Sequence, residues 1–241
     1  MIRTPSFEIA EYATGDQGAD RLALVLPGRL DTKDYPHMRS HVDFLASLGY
    51  YALSFDAPGS WESGGGIEIY SMTNYLKAID ELIEHFGHKP TLLLGHSRGG
   101  SVAMLAAPKN PAVTGFVSVF SRATPSTIGA DKAKEQGMEV EHRDIPGHPD
   151  QSKEFALPYS YFEDAAQYNA LQGLQTFTKP KLFFYGTRDE LVRPAEVRKA
   201  YEASADPKEI HELDSDHDYR WHPEIIEQVN AMVKGWAGNS L

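Results

Sequence analysis

Ser97, Asp189 and His217 are the three side chains whose types, order and surroundings point to one chemistry. A serine hydroxyl is a weak nucleophile at neutral pH. It attacks a carbonyl when a base takes its proton, and that base is usually an imidazole oriented by a carboxylate. Ser97 lies in Gly95-His96-Ser97-Arg98-Gly99-Gly100. The apolar run Thr91-Leu92-Leu93-Leu94 precedes it, and the small-residue stretch Ser101-Val102-Ala103-Met104-Leu105-Ala106-Ala107 follows. A strand, a sharp turn and a helix form the context in which G-x-S-x-G lifts a serine clear of both elements. The first N–H groups of such a helix converge where an oxyanion can rest.

The base and the carboxylate are sought after later strands, because reactive groups of open α/β sheets gather at the carboxyl ends of strands. His217 stands in the loop after Glu209-Ile210-His211-Glu212-Leu213. Its rivals are His211, inside that strand pattern, and His222, which precedes Pro223 at a helix start. His217 is preferred. Asp189 closes Gly186-Thr187-Arg188-Asp189 after the strand Leu182-Phe183-Phe184-Tyr185. Asp214, Asp216 and Asp218 flank His217 as alternatives, but a sequence neighbour rarely meets an imidazole at the required angle. Asp189 is preferred, with a plain turn aspartate as the competing reading.

These residues need a scaffold, and hydrophobic periodicity supplies one. Phe7 to Tyr12 alternates like an edge strand; Leu22–Leu26 and Tyr51–Phe55 are continuous apolar runs, as in strands buried on both faces. Met38, Val42, Leu45 and Leu48 follow helical spacing up to Gly49, and Met72 to Phe86 traces a longer amphipathic helix. Val113–Phe120 is a further strand. The alternation implies a mostly parallel, twisted sheet with helices on both faces. It breaks from about Arg122 to Thr178, a polar stretch long enough to be a cap or lid, with a strand pair in Met138–Ile145 and a helix over Tyr161–Leu174. The expected division is a core of residues 1–121 and 179–241 with residues 122–178 inserted. Pro194 opens another helix, and Ile225 to Trp236 forms the last.

Composition excludes several classes. Cysteine is absent, which removes disulfides, cysteine metal sites and thiol catalysis. The formal charge of −11 disfavours nonspecific nucleic-acid binding. No stretch approaches the roughly 18 apolar residues of a membrane span, and no apolar signal region follows Met1, so a cytoplasmic location is the default expectation. Nothing fixes an oligomeric state.

In the order Ser97, Asp189, His217, the chain resembles the α/β-hydrolase superfamily. Other matching pieces are Pro27-Gly28-Arg29, Asp56-Ala57-Pro58-Gly59, Gly186-Thr187-Arg188-Asp189 and Asp216-His217. It looks most like small serine esterases with an inserted cap, of the cinnamoyl-esterase type. That resemblance implies Ser97 as nucleophile, His217 as base, Asp189 as orienter, and the N–H groups of Arg29 and Arg98 as oxyanion hole. It implies hydrolysis of a small or medium carboxylic ester through an acyl-enzyme, with no metal or organic cofactor. Thioesters, lactones, amides and activated C–C bonds share the triad, and a noncatalytic ligand-binding relative is the rival from another class. The chain departs from the family at Pro27, where many members have histidine, and at Trp61, where glycine is common.

Other features read more plainly. His37 and His41 stand four apart on a helix and are expected on its solvated face; no zincin glutamate follows His37. His142 and His148 are expected to face water, and Gly64-Gly65-Gly66 lacks any phosphate-loop context. Arg122, Tyr159 and Phe162 are candidate substrate-binding residues; Tyr159, Tyr161 and Phe162 either face the core of the cap or line an aromatic acyl pocket. Arg29, Arg98, Arg122 and Arg188 follow strand ends, where they would form a cationic rim selecting carboxylate-bearing substrates or pair with nearby carboxylates.

Overall fold

The computed structural model describes residues 1–240. Its chain begins with β1 (Ile2–Arg3), β2 (Glu8–Ile9) and β3 (Glu11–Thr14). The expected single edge strand is therefore split. The break falls at Ala10, whose N–H donates to Ser63 Oγ at 2.9 Å and whose carbonyl accepts from Asp56 at 3.0 Å. The chain changes partners there: β2 pairs with β1, and β3 joins the main sheet.

That sheet has seven strands. After β4 (Leu22–Leu26), β5 (Tyr51–Phe55), β6 (Thr91–His96) and β7 (Val113–Val119) come β10 (Lys181–Gly186) and β11 (Lys208–Leu213), in the spatial order β11-β10-β7-β6-β4-β5-β3. Only β3 is antiparallel. From β4 the chain steps to β5 on one side and then returns to β6 on the other. The loops after β4 and β6 thus diverge at a topological switch point, which opens a crevice at their carboxyl ends.

Two layers of helices cover the sheet because β4 is apolar at every position and β6 is buried along its whole length. Leu22, Leu24 and Leu26 point into one cluster with α2 (Met72–His85) and α3 (Arg98–Ala106); Ala23 and Val25 point into the other, with α1 (Pro36–Ser47) and the C-terminal α8 (Pro223–Ser240). This period-2 partition is why these strands read as unbroken hydrophobic runs.

Between β7 and β10 lie α4 (Ala130–Gln136), the antiparallel hairpin of β8 (Met138–Ile145) and β9 (His148–Pro158), then α5 (Tyr159–Ala166) and α6 (Leu171–Thr176). Met138–Ile145 is one strand rather than a pair. The helix expected over Tyr161–Leu174 is two helices, because Ala170 N–H turns away to donate to Ala123 O at 2.8 Å and Asn169 Oδ1 accepts from Leu171 N–H. The chain closes with α7 (Pro194–Ala203), β11 and α8. Among the described residues no helix is long and apolar enough to cross a membrane.

α1 corrects one expectation outright. His37 and His41 are fully buried, not solvated. α1 is covered by the sheet on one side and by α8 and Tyr219 on the other, so it has little free face. His41 Nδ1 donates to Asn230 Oδ1 at 2.6 Å, and its Nε2 accepts from Tyr219 OH at 2.8 Å. Both nitrogens are satisfied in the neutral ring, and burial pushes the pKa down to about 4. Between pH 4 and the unfolded value near 6.5 the unfolded chain binds the extra proton. Stability is therefore full above pH 6.5 and falls as the pH drops toward 4, by roughly 3 kcal/mol from this ring. Urea midpoints measured between pH 7.5 and 4.5 are expected to decline on acidification, and less steeply in His41→Gln.

Candidate active site

The elbow forms because three backbones meet with no room for side chains. A Cβ on Gly95 would stand 2.3 Å from the Gly99 carbonyl carbon, and one on Gly99 would stand 1.9 Å from Leu26 O. β6, α3 and the end of β4 are thereby held in contact. Ser97, at their junction, takes φ 52° and ψ −119°, a strained conformation for a non-glycine residue. Its N–H donates to Val119 O at 2.9 Å, which ties the turn to β7.

Ser97 Oγ donates to His217 Nε2 at 2.8 Å, and His217 Nδ1 donates to Asp189 Oδ2 at 2.8 Å. The loops after β6, β10 and β11 converge on this line. Asp189 is buried, and its other oxygen accepts from the N–H groups of Leu191 and Val192 at 2.9 and 2.8 Å. Those two amides fix the direction of the carboxylate. The rival acids are engaged elsewhere: Asp214 pairs with Arg188, Asp216 faces His222, and Asp218 pairs with Arg220.

Arg98 is the first residue of α3, where helical N–H groups have no partner within the helix. Arg29 lies in the loop after β4, and no protein acceptor takes its N–H among the described residues. The loop is braced by its neighbours. Tyr70 OH accepts from Leu30 N–H at 2.8 Å, and Arg143 Nη2 donates to Arg29 O at 2.7 Å. Trp61 Nε1 donates to Leu30 O at 2.8 Å; Trp61 itself adopts φ 47°, a left-handed conformation that favours glycine.

A cavity of about 260 Å³ opens over Ser97. Its apolar lining includes Met72, Leu105, Phe162, Leu191 and Val192. Arg122 and Phe162 line it as the sequence suggests, whereas Tyr159 does not; Tyr161, two positions on, does. Tyr161 stacks on Tyr70 at 5.5 Å, and Arg98 lies over both rings while donating to the Tyr161 hydroxyl. Three of the four arginines are paired with carboxylates, while Arg98 lines the cavity with no carboxylate partner among the described residues. Arg29 pairs with Glu141, Arg122 with Glu196, and Arg188 pairs with Asp214 away from the cavity.

A buried carboxylate locking the tautomer of His217 carries a direct expectation. In Asp189→Asn, the amide cannot both accept from the ring and keep both backbone N–H bonds. A fall in kcat of about 10⁴-fold with little change in KM is expected, read by steady-state ester hydrolysis.

A parallel sheet with its switch point at β4 and β6, an elbow serine, and a histidine and an aspartate on later loops define the α/β-hydrolase fold. The chain has that fold, and the family described as "alpha/beta hydrolase fold" matches its residues 24–143. Among its relatives is the palmitoyl-protein thioesterase ABHD10, mitochondrial, of Rattus norvegicus, 24% identical over 175 residues, which are 70% of this chain. The chain matches 59% of that relative's length. Mouse alpha/beta hydrolase domain-containing protein 10 superposes with a TM-score of 0.78 at 18% identity, covering 99% of this chain and 97% of that one. Est1E from Butyrivibrio proteoclasticus, solved with ferulic acid bound, superposes at 0.76 with 18% identity and 98% coverage of both.

Proposed function

We propose that this chain is a serine hydrolase that cleaves a carboxylic ester through an acyl-enzyme. The observation that carries the reading is the unbroken line from Ser97 Oγ through His217 to the buried Asp189, with 2.8 Å at each step. Ser97 attacks the acyl carbonyl while His217 takes its proton. The oxyanion rests on the amides of Arg98 and Arg29. His217 then protonates the departing alcohol, and water repeats the sequence to free the acid. Residues 122–178 act as a cap, supplying Tyr161 and Phe162 to the acyl side of the cavity.

The same groups serve a thioester, and the ABHD10 relatives favour that second reading. Matched oxyester and acyl-CoA substrates of graded chain length separate the two. A kcat/KM for oxyesters at least tenfold higher supports the ester reading, and the reverse order supports a thioesterase. An intact, folded protein that neither labels with a fluorophosphonate probe nor turns over any ester would instead be a binding module.

A further inference from the structure

Behind the catalytic line, on the other side of the His217 backbone, is a polar cluster that the hydrolytic chemistry does not use. His96 precedes the nucleophile and is buried. Its Nε2 lies 3.0 Å from the carbonyl oxygen of His217. A carbonyl only accepts, so the ring proton sits on Nε2 and, in the neutral ring, Nδ1 presents a lone pair. That lone pair faces Asp31 Oδ2 at 3.4 Å. The separation is longer than the 2.7–2.9 Å or so of a charged imidazolium–carboxylate bond. It matches the edge between two ligands of a tetrahedral metal at about 2.0–2.1 Å, which is roughly 3.4 Å.

His37 completes the group. It is fully buried, and neither ring nitrogen has a hydrogen-bond partner. One ligand atom from each of Asp31, His37 and His96 lies within 4.8 Å of the others, so the three donors converge on one point in the interior. The space is built in. A Cβ on Gly28 would stand 2.5 Å from Asp31 Oδ2 and 3.4 Å from His96 Nδ1, so glycine is what lets the loop after β4 bring the carboxylate to the ring. Charge also leaves room for a cation. Arg29 and Arg143 pair with Glu141, and Arg220 pairs with Asp144 and Asp218. Counting Asp31, four carboxylates face three guanidiniums. Asp31 has no Lys or Arg ion pair of its own among the described residues.

We propose that Asp31, His37 and His96 bind a divalent cation of the zinc class, a site independent of whether the substrate is an ester. Carboxylate and imidazole are the donor set zinc prefers in the absence of thiolate. His96 already shows the outer bond such ligands carry, with its second ring nitrogen on a backbone carbonyl. The remaining coordination positions face the cavity, since Asp31 and His96 both line it. The cation ties the loop after β4, the start of α1 and the end of β6 together, and through His96 it steadies the loop that carries His217.

The test uses the whole chain stripped with chelator, then titrated with Zn²⁺ alone at pH 7.5 by calorimetry and, after desalting, by elemental analysis. One tight equivalent is expected, with a rise in Tm of at least 5 °C. His37→Gln, which keeps the volume and lies off the catalytic line, should lose that equivalent and the Tm rise; His142→Gln, on the exposed hairpin, should keep both. If His37→Gln fails to fold, Co²⁺ bound to the parent chain supplies the readout through visible bands of low-coordinate cobalt with histidine ligation. Absence of stoichiometric binding, binding retained in folded His37→Gln, or a cobalt spectrum like that of the hexa-aquo ion would each overturn the proposal. The hydrolytic reading would survive all three, since Ser97 labelling is measured separately.

Discussion

Ser97→Ala is expected to reduce kcat by about 10⁵-fold or more and to abolish fluorophosphonate labelling, while Tm moves by no more than about 3 °C. The reasoning rests on what the hydroxyl does and does not hold. Removing it deletes the atom proposed to attack, and on that reading residual rate comes from the oxyanion site and binding alone. Structurally, Ser97 contributes one side-chain bond, to His217. The turn is kept by its backbone N–H on Val119 O and by the interlocked glycines, none of which the substitution touches. Alanine also tolerates φ 52° no worse than serine. Burst kinetics with a p-nitrophenyl ester give the kcat ratio, and a thermal scan gives Tm. A variant retaining more than a hundredth of the parental kcat would place the nucleophile elsewhere.

Gly99→Ala is expected to have the largest effect on stability, about 3 kcal/mol or more, or roughly a 10 °C fall in Tm for a chain of this size. The added methyl would lie 1.9 Å from Leu26 O and 2.8 Å from Pro27 O. Both are backbone atoms at the end of a central strand, so no rotamer change relieves the clash. α3 must lift off β4, and that same movement separates the Arg98 amide from the loop carrying Arg29. Activity should therefore fall with stability even in the fraction that remains folded. Urea unfolding together with kcat below the transition reads both effects. An unchanged Tm would mean that the three backbones approach less closely than 1.9 Å implies. Gly137, with no atom within 4 Å of an added Cβ, lacks that clash and is the comparison position for steric contact, although its φ of 82° gives alanine its own strain.

The sheet, the elbow and the three members of the proposed triad could be read from the linear sequence because each rests on a local rule. Strands buried on both faces must be apolar throughout; a serine raised on a strand-helix turn needs glycines beside it; reactive loops follow strand ends. Ser97, Asp189 and His217 satisfy those rules one by one, and the structure places Ser97 Oγ and Asp189 Oδ2 each 2.8 Å from a ring nitrogen of His217. What lay outside reach depended on contacts between distant segments. α1 has the amphipathic spacing of a two-sided helix, which by itself puts His37 and His41 in water; only the docking of α8 and Tyr219 buries them. The helix after β9 has several aromatic residues, and the one that meets Arg98 is chosen by where α5 lands, which selects Tyr161 over Tyr159. Asp31 carries no motif at all, and its meeting with His96 requires the tight loop at Gly28. Local spacing determined which elements form and which of them end in reactive groups. Tertiary packing decided which polar side chains lose their water, because burial is a property of the partner surface and not of the segment that is buried.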